Sequence, residues 1–207
     1  MTHDNPFLQA LLAEPDDDTL RLAMADWLDE HDQPARAEFI RVQIELARSV
    51  ADRNRRWKLE LRQRDLLMAH DTEWVSPLAQ VLGCKPGQWG GWVFRRGFVE
   101  YFRLPVHALV THGARLARLT PMRELNLDCD SCGSWSLKDL WQQPWLRAVT
   151  HLYGLELHPS TAEDMLNCPY LTGLRVLESR WKDLSKPLRQ RFVKRFGHAL
   201  PPSDERT

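Results

Sequence analysis

The residues of this chain that could do chemistry are four cysteines, one run of acids and scattered histidines. Cys129-Asp-Ser-Cys132 is a C-x-x-C. With Cys168 and His151 it could complete a tetrahedral zinc site. A zinc signal needs a second close pair, however, and the sequence has none. A thioredoxin-type pair needs a stabilised thiolate, which the flanking carboxylates Asp128 and Asp130 oppose. Free or structural thiols are therefore expected, with no metal. Asp26, Asp29, Glu30 and Asp32 have the residue types of a metal-assisted hydrolase. Their placement at a helix end, with Arg36 and Arg41 just downstream, predicts salt bridges and caps instead. His107, His112 and His158 lack an acid or nucleophile at motif spacing. No glycine-rich phosphate loop and no G-x-S-x-G occurs. The sequence thus predicts a non-enzymatic protein without a cofactor.

Binding chemistry is better represented. Nine tryptophans are many for 207 residues. Trp89, Trp135 and Trp145 fall in loop-like or inter-repeat stretches, and tryptophan is enriched in interface hot spots. Cations cluster at Arg53, Arg55, Arg56, Lys58, Arg62 and Arg64, at Arg95–Arg96, and from Lys186 to Arg195. They define an alternative reading, a nucleic-acid-associated subunit. Against it, 28 basic residues are balanced by 28 acidic ones, whereas a polyanion binder carries a basic excess. No apolar run reaches the roughly 18–20 residues of a membrane span. The N-terminal stretch lacks the basic and apolar regions of a secretory signal. A cytoplasmic protein is expected.

Several elements can position these groups. Phe7, Leu8, Leu11 and Leu12 share one helical face after Asn5-Pro6, an N-cap followed by a first-turn proline. Asp16 to Asp18 open a second helix with Leu20, Met24, Trp27 and Leu28 as its apolar stripe. A third helix begins near Ala35, with Phe39, Ile40, Ile44 and Leu46 as core positions. Residues 52–70 read as a charged helix with Trp57, Leu61, Leu67 and Met68 as a seam. The Gly/Pro-rich stretch 83–91 separates a helical domain, 1–82, from a second domain, 92–200. In the latter, 98–104 alternates as a strand and 106–119 reads as a helix.

From Leu119 to Glu178 one apolar spacing recurs: Met122, Leu125, Leu127; then Leu146, Val149, His151; then Leu171, Leu174, Val176. L-x-x-L-x-L at a period of about 20–29 residues is the signature of leucine-rich repeats. Short helices are expected between the repeats, at 136–142 and 160–167. The fold class is therefore α/β: an N-terminal helical domain, then a short, irregular leucine-rich-repeat-like stack of parallel strands backed by helices. Residues 186–196, with five cations and no acid, should form a capping helix through Leu188, Phe192, Val193 and Phe196. Glu124, Asn126, Asp128, Arg147, Thr150, Arg175 and Glu178 border the expected strands as partner-binding candidates.

The string from Leu11 to Gln43 carries a P-x-D-D, an R-L-x-x-A-D-W-L-x-E and an R-x-E-F-I-R-x-Q. It spans Pro15, Asp17, Asp18, Arg21, Leu22, Ala25, Asp26, Trp27, Leu28, Glu30, Arg36, Glu38, Phe39, Ile40, Arg41 and Gln43. This string resembles the repeat-companion domain of planctomycete and myxobacterial proteins. The later RRGFVEYFRLP and RFVKRFG are similar to segments that follow that domain. His31-Asp32-Gln33 replaces a turn that usually contains glycine. The resemblance implies leucine-rich-type repeats downstream and no catalytic residue. Together these readings predict a bacterial protein–protein interaction module, an adaptor or complex subunit, whose partner is another protein.

Overall fold

The computed structural model describes residues 5–48, 50–85, 91–128, 137–181 and 183–200. It is a mixed α/β chain in two compact units. One unit combines residues 1–86 with 93–100 and 118–121. The other takes 87–92, 101–117 and 122–207.

The first unit begins with helix α1, Pro6–Ala13. Asn5 Oδ1 accepts from the Phe7 and Leu8 amides at 2.9 and 3.2 Å, using donors that a helix start leaves unpaired. Asp17 caps α2, Asp18–Glu30, by accepting from the Thr19 amide at 2.7 Å. Helix α3 spans Pro34–Ala47 and α4 spans Arg53–Leu82. Leu8, Leu11, Met24, Leu28, Ile40, Ile44 and Phe98 form a common core.

Helix α4 departs from expectation in length and phase. It runs twelve residues past 70 despite Pro77, which removes an intrahelical hydrogen bond and costs about 3 kcal/mol. Burial of Val75, Leu78, Ala79, Val81 and Leu82 outweighs that loss. The expected seam is split: Trp57 is 59% and Met68 81% exposed and Leu61 and Leu67 are half-buried, while Leu59 and Leu66 are buried.

Polar residues hold this unit together as much as apolar ones. Strands β1, Gly91–Arg95, and β2, Phe98–Pro105, are joined by a two-residue turn. Arg96 and Gly97 have φ of 46° and 91°, the double positive φ of a type I′ hairpin turn. Gly97 is required twice over, because a Cβ there would lie 2.3 Å from Ile40 Cγ1. Its amide donates to Gln43 Oε1 at 2.7 Å. Arg21 is fully buried, where Leu20 was expected. It donates to Glu100 at 2.6 Å, to the Pro15 carbonyl at 2.6 Å and to the Arg96 carbonyl at 3.0 Å.

In the second unit β2 continues into a parallel ladder. Strands β3, Glu124–Asp128, β4, His151–Leu157, and β5, Val176–Trp181, follow in spatial sequence, giving the order β1-β2-β3-β4-β5. Between them run α5, Val106–Leu116, α6, Leu137–Trp141, and α7, Pro159–Leu166. Helix α8, Lys186–Phe196, ends the fold and matches the expected limits.

The ladder departs from the phase that the apolar spacing predicts. Phe102, Leu125, Leu152 and Leu177 stand side by side in register. Leu125 therefore pairs with Leu152, not with Val149. The buried positions read Val99-x-x-Phe102, Met122-x-x-Leu125, Val149-x-x-Leu152 and Leu174-x-x-Leu177. His151 and Val176, expected inside, are only half-buried. A one-residue change of phase exchanges the two faces of a strand. The amides of Thr150 and His151 both donate to the Arg123 carbonyl, at 2.8 and 3.1 Å, and those of Arg175 and Val176 to the Thr150 carbonyl.

Candidate interaction surface

Four sequential parallel strands need three crossovers, and such crossovers are right-handed in about 98% of cases. When each strand lies beside its predecessor, one handedness sends every crossover to the same side. The helices obey this: α5 packs on α6, α6 on α7 and α7 on α8. Parallel sheets usually have both faces covered. Here the strand order leaves one face of β2–β5 without a helix from these connections.

That outer face carries Tyr101 and Arg103 from β2, Glu124, Asn126 and Asp128 from β3, His151 and Tyr153 from β4, and Val176, Glu178 and Arg180 from β5. The register makes cross-strand rows, Tyr101–Glu124–His151–Val176 and Arg103–Asn126–Tyr153. The Tyr101 and Tyr153 rings lie 6.5 Å apart between centroids, and His151 stacks with Tyr153 at 6.3 Å. Arg103, Glu178 and Arg180 are exposed, and the other seven are half-buried. The ladder shifts register between Leu152 and Leu155. Gly154 there adopts φ 73°, and a Cβ would fall 2.6 Å from both Asn126 Oδ1 and the Leu127 carbonyl. Glycine thus lets Asn126 lie close against the next strand.

The sequence-chosen candidates divide accordingly. Glu124, Asn126, Asp128 and Glu178 share the outer face. Arg147 and Arg175 are exposed in the connections before β4 and β5, and Arg147 lies 5.1 Å from the Tyr170 ring. Thr150 does not reach solvent; its hydroxyl donates to the Arg123 carbonyl at 3.3 Å. Trp145 presses on α5, where a Cβ on Gly113 would meet its ring at 2.4 Å. Trp89, Trp135, Cys129 and Cys132 lie outside the described residues. Tyr101, Arg103, Tyr153 and Arg180 were missed, although alternation about Phe102 and Leu152 places the first three outward.

The other chemical candidates also have positions. Arg41 pairs with Asp26 at 2.6 Å and Asp29 at 2.7 Å. Arg36, the second expected partner of those acids, is buried elsewhere. Among the described residues no three metal-ligating side chains converge. Within the basic start of α4, Arg55 makes two 2.7 Å bonds to Glu45, and Arg62 bonds Glu38 at 2.7 and 2.6 Å. Side-chain bonding to these arginines holds both carboxylates below their usual pKa. Among the described residues no helix is long and apolar enough to cross a membrane. The chain matches no protein-family model, no curated protein and no solved structure.

Proposed function

We propose that this chain is a non-catalytic protein-interaction module, an adaptor or subunit of a cytoplasmic multiprotein complex, that binds a protein partner through the outer face of β2–β5. One observation carries this reading: a parallel sheet with helices layered on one side and tyrosine, histidine and mixed charge on the other. Tyrosine is enriched at protein interfaces, and charge of both signs gives orientation and specificity. In this reading the ladder is a short leucine-rich-repeat-like stack. The segments at Leu11–Gln43 and Arg95–Pro105 belong together as a repeat-companion unit, an assignment supported by the bonds of Arg21 and Gln43 to residues 96–100. The nucleic-acid alternative is weaker, because Arg55, Arg62, Arg96 and Arg191 are engaged by carboxylates.

The test is affinity purification from the native cell with quantitative mass spectrometry. Wild-type chain is compared with the Tyr101→Ala/Tyr153→Ala variant, each checked for folding by circular dichroism. Loss of one stoichiometric protein partner from the folded variant is expected. Unchanged partners, or recovery only of nuclease-sensitive material, would overturn the proposal.

A further inference from the structure

Arg36 is the third residue of α3, yet its side chain turns inward and is 6% exposed. Its guanidinium carbon sits 4.6 Å from the Trp74 ring centre, 5.1 Å from Phe94, 5.6 Å from Phe39 and 5.7 Å from Phe98. Aromatic faces attract a cation. They are poor substitutes for hydrogen-bond acceptors, and Nε and Nη1 have none. Burial pushes the Arg36 pKa down to about 9, with Glu73 acting in the opposite direction. The group is therefore still charged at neutral pH. Buried cations are ordinarily paired. Arg21, also buried in this unit, has three acceptors, with only its Nε unmet.

A cleft of about 100 Å³ lies against Arg36, with Trp74, Phe94, Phe98, Val99 and Leu119 among its apolar walls and Glu73 among its polar lining. The start of α3 has no side-chain cap, but the Arg36 and Ala37 amides already donate to the Gln33 carbonyl, so the guanidinium is the donor that needs a partner. We infer that Arg36 anchors a carboxylate-binding cleft, which receives an acidic side chain from a partner protein. This rests on the protein-partner reading and adds a second, chemically distinct contact to it. Unused guanidinium donors call for an oxyanion. The apolar walls suit one carried on an aliphatic stem. Glu73 disfavours a dianion more than a single carboxylate, which selects against phosphate.

The experiment follows the arginine Nε–H resonances of the full chain by NMR. Arg36 is assigned through bonds, so no substitution at that position is required. Acetate, acetamide and phosphate are titrated at constant ionic strength into wild type and Glu73→Gln. Acetate should shift the Arg36 signal saturably, and acetamide should not. Glu73→Gln should tighten the midpoint about three- to tenfold, the scale of one nearby charge close to a surface. A short peptide rich in glutamate should bind more tightly than acetate. No saturable shift at Arg36 in either protein would overturn the proposal and leave Arg36 as a cation held only by rings. Phosphate binding more tightly than acetate would also overturn it. Because the probes are small molecules, failure here leaves the outer-face reading standing. An acetate response in a chain that captures no protein partner would sink that reading and, with it, the assignment of the cleft to a partner's side chain.

Discussion

Replacing Phe192 by alanine should destabilise the second unit severely, while replacing its neighbour Val193 should not. Phe192 is 0% exposed, and its ring meets Trp181 edge-on at 5.7 Å and Phe196 at 5.0 Å. Val193, one residue on, points to solvent at 38% exposure, although the sequence reading placed both on the apolar face of α8. Truncating a buried phenylalanine costs about 3–5 kcal/mol in lost transfer energy and cavity. A domain has only about 5–15 kcal/mol in total. At about 2–4 °C per kcal/mol for a chain of this size, Phe192→Ala should lower Tm by about 6–20 °C. Val193→Ala should stay within about 0.5 kcal/mol of wild type. Calorimetry gives the shift. Hydrogen exchange locates it, and protection should fall in β5, α7 and α8. The reasoning is refuted if Phe192→Ala moves Tm no further than Val193→Ala does, which would make α8 a detachable arm.

Other perturbations test the first unit. Gly97→Ala combines a left-handed φ, at about 1–2 kcal/mol, with overpacking against Ile40, at about 1–3 kcal/mol. Urea denaturation should show it clearly worse than Gly83→Ala, where φ is 64° and the space is open. Arg21→Met and Glu100→Leu should each cost about 3–5 kcal/mol because each breaks a buried, hydrogen-bonded charge pair, and the double variant should cost less than their sum. Arg41→Ala, at the more exposed Asp26 and Asp29 pairs, should cost under about 1 kcal/mol by the same measurement.

The starts of α1 and α2, the break between α2 and α3, most of the apolar positions of these helices and the limits of α8 were legible because local chemistry sets them. Asn5-Pro6, Asp17 and the stripe through Leu188, Phe192 and Phe196 leave little choice. The phase of β4 was not legible. The run from Leu146 to Leu157 offers Leu146-x-x-Val149 and Val149-x-x-Leu152 with equal apolar spacing. Only the pairing of Thr150 and His151 with Arg123 decides between them. Arg21 and Arg36 were hidden for a different reason. Periodicity assigns arginine to the surface, and what holds these two inside is tertiary: Glu100 and backbone carbonyls for one, four rings for the other. The last twelve residues of α4 were missed because the reading stopped at 70, and propensity cannot see the burial of Val75, Leu78 and Leu82 that carries the helix through Pro77. The outer face became readable once β2 was phased. Tyr101 and Arg103 alternate with Phe102 and Leu104, and the register carries that alternation to Asn126 and Tyr153.

Site-specific photo-crosslinking tests the outer-face claim most directly. A photoreactive residue is placed at Arg103 or Glu178 on the outer face, and at Lys194 on the exposed side of α8. Each folded protein is irradiated in the native cell. The account predicts one discrete protein adduct from Arg103 and Glu178 and none from Lys194. Adducts from Lys194 alone, or nucleic-acid adducts from any of the three, would contradict it.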